Sequence, residues 1–190
     1  MKIPAADSRI WVVEKKEEER FLRQPTAIFE FTPSGATANG TAWSRQELLE
    51  LTRRMKKIMH FANGIGLSAN QIGLNCRLFV GQVPGERGPG KFYAVFNPQI
   101  QKSDRGKPSG EEGCLSVPGV YGEVERAEEV TLAGFDYRGR PLRIKAWGLL
   151  ARMFQHEVDH LNGALFIDKA KSLARAPQSE RLARKLEEEK

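Results

Sequence analysis

The chain has 190 residues, 30 of them lysine or arginine against 24 aspartate or glutamate, for a formal charge of +6. With 40 % hydrophobic and 8 % aromatic residues it can bury a core, which excludes a disordered chain. It has no apolar run near the ~18 residues of a membrane span, no secretory h-region at its start, and two cysteines rather than a disulfide framework. One soluble domain in a reducing cytoplasm is the expectation, with the interspersed positive charge read as a solubility feature.

After a charge run at 14–20, Ser44 and Glu47 form a capping box. Leu48, Leu51, Met55, Ile58, Met59 and Ala62 then recur at helical spacing, and Asn63-Gly64 supplies the stop. His60, near the end of this helix, reads as a surface or capping residue. Runs of β type follow at 77–80, 92–96, 129–135 and 142–146. The glycine- and proline-rich 81–91 reads as a flexible connection, and Arg138-Gly139 as a turn. Residues 147–161 predict a second helix, apolar at Leu149, Leu150, Met153, Phe154, Val158 and Leu161, ended by Asn162-Gly163. Strands clustered before one internal helix predict an α+β fold with antiparallel hairpins rather than a βαβ repeat. The domain is expected over 1–168, followed by a charged tail, 169–190, with seven basic residues against four glutamates, a local +3. Beyond Pro177, residues 179–189 are expected to form a short exposed helix.

The strongest chemical signal is His156-Glu157-Val158-Asp159-His160 on the second helix. Residues four apart share a helical face, so both imidazoles can bind one metal ion. Glu157 points elsewhere around the helix, where it can reach a water without being a ligand. A catalytic site wants a third ligand and an open position. The pattern that would place a third histidine downstream has Phe166 there instead. Glu180, in the polar segment beyond Pro177, is one alternative, as in a zinc peptidase. The better one is Cys114, in Glu111-Glu112-Gly113-Cys114-Leu115-Ser116. Cys76 reads as a small buried hydrophobe. Gly64-Ile65-Gly66-Leu67-Ser68-Ala69-Asn70-Gln71 follows a helix and lacks a phosphate-loop lysine. Its glycines allow close approach of an extended ligand, and the Gln71 amide can face a developing oxyanion.

These three stretches together resemble the peptide deformylase motifs G-x-G-L-A-A-x-Q, E-G-C-L-S and Q-H-E-x-D-H, in order and spacing, with Ser68 in place of the usual alanine. The resemblance runs from about Ser44 to Asp168. It implies antiparallel sheets wrapped round the helix that carries the H-E-x-x-H. It also implies Cys114, His156 and His160 as metal ligands, Glu157 as general base and acid, and Gln71 with the Leu115 N–H as oxyanion donors. Glu112 would support a ligand histidine and pair with Arg126, and Ile65, Gly66 and Gly113 would bind substrate as an added strand. The implied activity is hydrolysis of the formyl group from N-formylmethionyl peptides, with one divalent ion: Fe2+ in the cell, Zn2+ or Ni2+ in purified protein. The implied partner is the nascent chain, with a ribosome contact through the basic tail. No membrane and no sequence-specific nucleic acid is expected. A degenerate member serving only as a binding module is the non-catalytic alternative, although none of these positions is missing.

Overall fold

The computed structural model describes residues 9–85, 88–104 and 106–176. The charge run forms a short helix, α1 (Lys16–Leu22). Glu17, Glu18 and Glu19 occupy its first turn, where the helix dipole favours negative charge, and Leu22 is buried. A small antiparallel meander follows, β1 (Glu30–Phe31), β2 (Gly35–Ala38) and β3 (Thr41–Ser44). The next helix, α2 (Arg45–Phe61), starts on the expected capping box: Glu47 N–H donates to Ser44 Oγ at 3.2 Å, and Ser44 N–H to the Glu47 carboxylate at 2.8 Å. Leu48, Leu51, Met55 and Met59 are fully buried, and Asn63 turns left-handed (φ 54°) to end the helix.

The chain continues through β4 (Gly66–Ser68), a 3-10 turn at Ala69–Ile72, β5 (Leu78–Gly81), β6 (Pro84–Gly85), β7 (Gly88–Pro89) and β8 (Tyr93–Asp104). Then come β9 (Ser109–Cys114), β10 (Val117–Glu125), β11 (Glu129–Phe135) and β12 (Pro141–Trp147), the helix α3 (Gly148–Leu161), and β13 (Leu173–Arg175). The largest sheet has the order β12-β11-β8-β5-β4, and a second has β13-β10-β9, all antiparallel. The α+β expectation therefore holds, with α3 packed against the five-stranded sheet.

Some elements differ from the sequence reading. The strand expected at 92–96 runs on to Asp104, because irregular pairing with β11 lets it bend and continue. Part of 81–91 pairs as β6 and β7. Strands β9 and β10 carry no clear alternation; Ser-Gly-Glu-Glu-Gly-Cys is a poor strand former, and β9 is ordered by its partner β10. Residues 173–175, inside the expected tail, pair with β10, and Ala176 N–H donates to Gly119 O at 2.8 Å. The helix expected at 179–189 lies outside the described residues.

Helix α3 buries Ala151, Phe154, Val158 and Leu161 against Phe79, Val95, Val130 and Leu132 of the sheet. Its C-terminal carbonyls are satisfied by distant side chains: Asn70 donates to His160 O at 2.7 Å, and Thr26 and Arg77 donate to Leu161 O at 3.0 and 3.1 Å. Gly163 (φ 78°) takes the left-handed position that ends the helix.

The N-terminal segment straps the back of the motifs. Trp11 N–H donates to Gln71 O at 2.8 Å and Val13 N–H to Ser116 O at 3.0 Å. Glu18 holds the strap in place, accepting from Arg9 at 2.6 and 3.0 Å and from Val12 N–H at 2.8 Å. The Arg9 guanidinium lowers the Glu18 carboxyl to about 2, against the opposing effect of burial. A carboxylate more acidic in the folded state stabilises fully above its unfolded value, near 4.5, and loses that contribution as pH falls toward 2. Glu18→Gln is therefore expected to lower stability at pH 7 by roughly 1.5–3 kcal/mol. Denaturant melts should show the gap to wild type narrowing steadily below about pH 4.5; a gap independent of pH would contradict this account.

Candidate metal centre

Two residues four apart on α3, His156 and His160, meet edge to face with ring centroids 4.9 Å apart. Cys114 ends β9 and meets them, so that one donor atom from each of the three lies within 4.8 Å of the others. Cys114 Sγ is 3.1 Å from His160 Nε2. Burial opposes a charged sulfur, but the two rings beside it outweigh burial and lower the thiol to about 5. Ser116 N–H also donates to this sulfur at 3.3 Å.

The histidines are aimed from behind. His156 Nδ1 is 2.9 Å from the Glu112 carboxylate, which leaves Nε2 as its donor atom. Burial would raise Glu112, yet Arg126 and His156 outweigh it and hold the carboxyl below the ordinary range. Arg126 grips Glu112 with two bonds of 2.9 Å and also binds Asp159; Arg152 adds a third at 2.8 Å. Asp159 in turn accepts from Lys169 at 2.6 Å. His160 Nδ1 is buried and, among the described residues, has no partner. One thiolate and two imidazoles meeting at a point fit a divalent transition ion with an open coordination position.

The other motif residues surround this point. Gln71 is nearly fully buried, and its amide orientation is fixed. Its Oε1 accepts from Ser68 N–H at 2.8 Å, which turns Nε2 toward Ser116 Oγ (3.1 Å) and Cys114 Sγ (3.7 Å). Leu115 and Ser116 form the tight connection between β9 and β10, where Val117 pairs with Cys114. Glu157 is 3 % exposed, and burial raises its carboxyl above the ordinary value. The Ser68 hydroxyl donates to it at 2.7 Å. A Cβ on Gly66 would overlap that carboxylate, so only glycine fits there. Gly66 lies in β4 and Gly113 in β9, each the outermost strand of its sheet, with one backbone edge unpaired within the sheets. Ile65 is partly exposed, and its carbonyl already accepts from Gln82 N–H at 2.8 Å.

Residues 35–176 match the sequence pattern of the polypeptide deformylase family. The chain belongs to that family. The peptide deformylase of Rhodopirellula baltica is 42 % identical over 65 % of this chain and 61 % of that protein. That of Pelotomaculum thermopropionicum is 45 % identical over 67 % of this chain and 79 % of that one. Among solved structures, a peptide deformylase from Synechococcus elongatus in complex with actinonin superposes with a TM-score of 0.72, at 36 % identity over 90 % of this chain and 83 % of that one. The Thermotoga maritima peptide deformylase gives 0.70, at 33 % identity over 87 % and 99 %.

All the site residues of this deformylase-family chain lie inside the matched region, whereas the Trp11 and Val13 strap lies outside it. Glu180, the alternative third ligand, is outside the described residues, and Cys114 stands with the histidines instead. Cys76 is buried at 2 % exposure, and burial pushes its thiol up to about 12, in keeping with a core role. Sequence reasoning missed Arg152 and the helix-capping Asn70, because their partners lie 40 and 90 residues away, and Lys169, whose partner Asp159 is ten residues away across the turn that ends α3. It noted Ser68 only as a departure from the motif, without its bond to Glu157. Cys114→Ser replaces a thiolate by a neutral hydroxyl. Purified variant is expected to retain less than a tenth of the wild-type metal after dialysis against a chelator, read by elemental analysis; equal retention would remove Cys114 from the ligand set.

Proposed function

We propose that this chain hydrolyses the formyl group from N-formylmethionyl peptides, the amino termini of newly made polypeptides, releasing formate and a free amine. The observation that carries this reading is the convergence of the Cys114, His156 and His160 donor atoms in a chain whose other deformylase-motif residues surround the same point.

A divalent ion held by Cys114, His156 and His160, ferrous iron in the cell and zinc or nickel after purification, supplies the Lewis acidity that makes water nucleophilic near neutral pH. Glu157 accepts the proton of the attacking water and passes it to the departing amine nitrogen. Its burial supports the first half of that task, because a carboxyl raised above its usual range is a stronger base toward the proton of the water. The Ser68 hydroxyl holds one carboxylate oxygen still while the transfer occurs. The Gln71 amide and the Leu115 N–H donate to the oxyanion as the formyl carbon becomes tetrahedral. Ile65, Gly66 and Gly113 bind the peptide backbone, which adds alongside the outer strands β4 and β9. Among the described residues no helix is long and apolar enough to cross a membrane. The cytoplasm is the proposed location, since a reducing compartment keeps the Cys114 thiolate from oxidation.

Formate release from formyl-Met-Ala-Ser by iron-loaded protein tests the activity, and none from metal-replete wild type would overturn it. Glu157→Gln is expected to keep the metal and lose at least ~10²-fold in kcat. Ser68→Ala is expected to lower kcat about tenfold with KM unchanged. In the Glu157→Gln background the Ser68 change should cost nothing further, because the hydroxyl acts through that carboxylate; additive losses would count against the link.

The basic residues of the tail are the proposed ribosome contact. A cut after Lys171 would delete β13, so the clean truncation is after Ala176. This shortened chain is expected to turn over the short peptide normally and to co-sediment less with ribosomes at low salt. Unchanged co-sedimentation would overturn the contact.

A further inference from the structure

The excess positive charge is dispersed along the sequence but concentrated in the fold. A groove of about 1090 Å³ runs between the outer face of α2 and the β11–β12 turn, lined by Arg45, Arg53, Arg54, Lys56, Lys57 and Arg138 with Glu50 as its acid. Six cations less one carboxylate give +5, against +6 for the whole chain, so the rest of the molecule comes close to neutrality. The helical repeat produces this stripe: positions 45, 49, 53, 56 and 57 fall on one side of α2, opposite the buried Leu48, Leu51, Met55 and Met59. Among the described residues Arg45, Arg53, Lys57 and Arg138 form no ion pair, and all four are exposed. By contrast, Arg126 and Arg152 near the metal centre are matched to carboxylates.

Like charges gathered on a concave wall repel one another, and among the described residues Arg45, Arg53, Lys57 and Arg138 have no ion pair to offset them. Such an arrangement is stabilised by an anion from outside. Two further features describe that anion. The cations come from two separate elements that face a trough, which suits a strand following its length better than a flat membrane surface. The trough is also lined by one aromatic ring, Tyr137, with Arg138 lying over it at 5.2 Å. A basic groove that follows a phosphate backbone is one way proteins hold single-stranded nucleic acid without reading its sequence. The C-terminal end of α2 leads directly into Gly64-Ile65-Gly66, so a strand held in the groove sits on the element that borders the metal centre.

We propose that the α2 groove is a docking surface for the phosphate backbone of RNA, separate from the metal centre and from the tail. The choice of RNA rests on the reading of the substrate as a nascent chain, which is presented on an RNA-rich surface.

The test is binding of a fluorescent 20-nucleotide oligo(U) to the full chain, followed by anisotropy from low to high salt. The triple variant Arg53→Gln, Lys57→Gln and Arg138→Gln removes exposed charges and touches no residue of the metal centre. It is expected to bind at least tenfold more weakly at low salt, and the slope of log K against log salt should fall by about 2, for three lost phosphate contacts. In the same preparations, turnover of formyl-Met-Ala-Ser should equal that of wild type. Wild-type turnover with unchanged RNA binding overturns the groove while leaving the deformylase reading intact. RNA binding lost in the variant of a protein without deformylase activity keeps the groove and removes the reading. Binding to vesicles containing phosphatidylglycerol, or to polyglutamate, with none to oligo(U) overturns the proposal in favour of a membrane or an acidic protein.

Discussion

The Glu112 carboxylate, buried among Arg126, Arg152 and His156, is the interaction on which the site depends. A buried charge survives only when it is paired and fully hydrogen-bonded, and Glu112 meets that condition by drawing in three different parts of the chain. Arg152 and His156 bring α3, Arg126 follows β10, and Glu112 itself sits two residues before Cys114 on β9. Arg152 also donates to the carbonyls of Pro108, Gly110 and Val124, so the helix is fastened to the second sheet by polar bonds along its length. Removing one partner would leave the others as uncompensated charge, which is why the distance between cysteine and histidines is set by this cluster rather than by apolar packing alone.

A second set of bonds joins the glycine-rich stretch to the helix. Ser68 and Asn70, two residues apart, reach Glu157 and the carbonyl of His160, while Gln71 faces Cys114. One short segment therefore positions the acid, the end of the helix and the amide together. Gly66 is required here for shape, because the Glu157 carboxylate occupies the place of its side chain. The N-terminal strap adds backbone bonds behind Gln71 and Ser116, so residues outside the family match still press on the site from its far side.

Charge is used in two ways in this fold. Around the metal centre acids and bases alternate in a chain from Arg152 through Glu112, Arg126 and Asp159 to Lys169, so that each carboxylate lies between two cations. On the outer face of α2 the cations share a groove with a single acid, and their field is directed outward. Residue counts cannot distinguish the two, because both contribute equally to a formal charge.

What the sequence determined by itself were the features that depend on neighbours close in the chain. The Ser44 capping box, the 3.6-residue spacing of Leu48 to Met59, the stops at Asn63 and Gly163, and the pairing of His156 with His160 on one helical face are all local geometry. The motif residues were legible for the same reason, each motif being a short string. Tertiary structure alone decided the rest. Strands β9 and β13 lack an alternating pattern and exist because β10 offers them backbone partners. Arg152, Asn70 and Ser68 act on groups 40 to 90 residues away, and nothing in a string of residues gives that separation. The basic groove likewise needs the β11–β12 turn to stand beside α2, a meeting of segments distant in sequence. Local rules follow from the covalent geometry of a few successive residues, whereas a buried charge or an unpaired strand edge is satisfied only by whatever the completed fold places next to it.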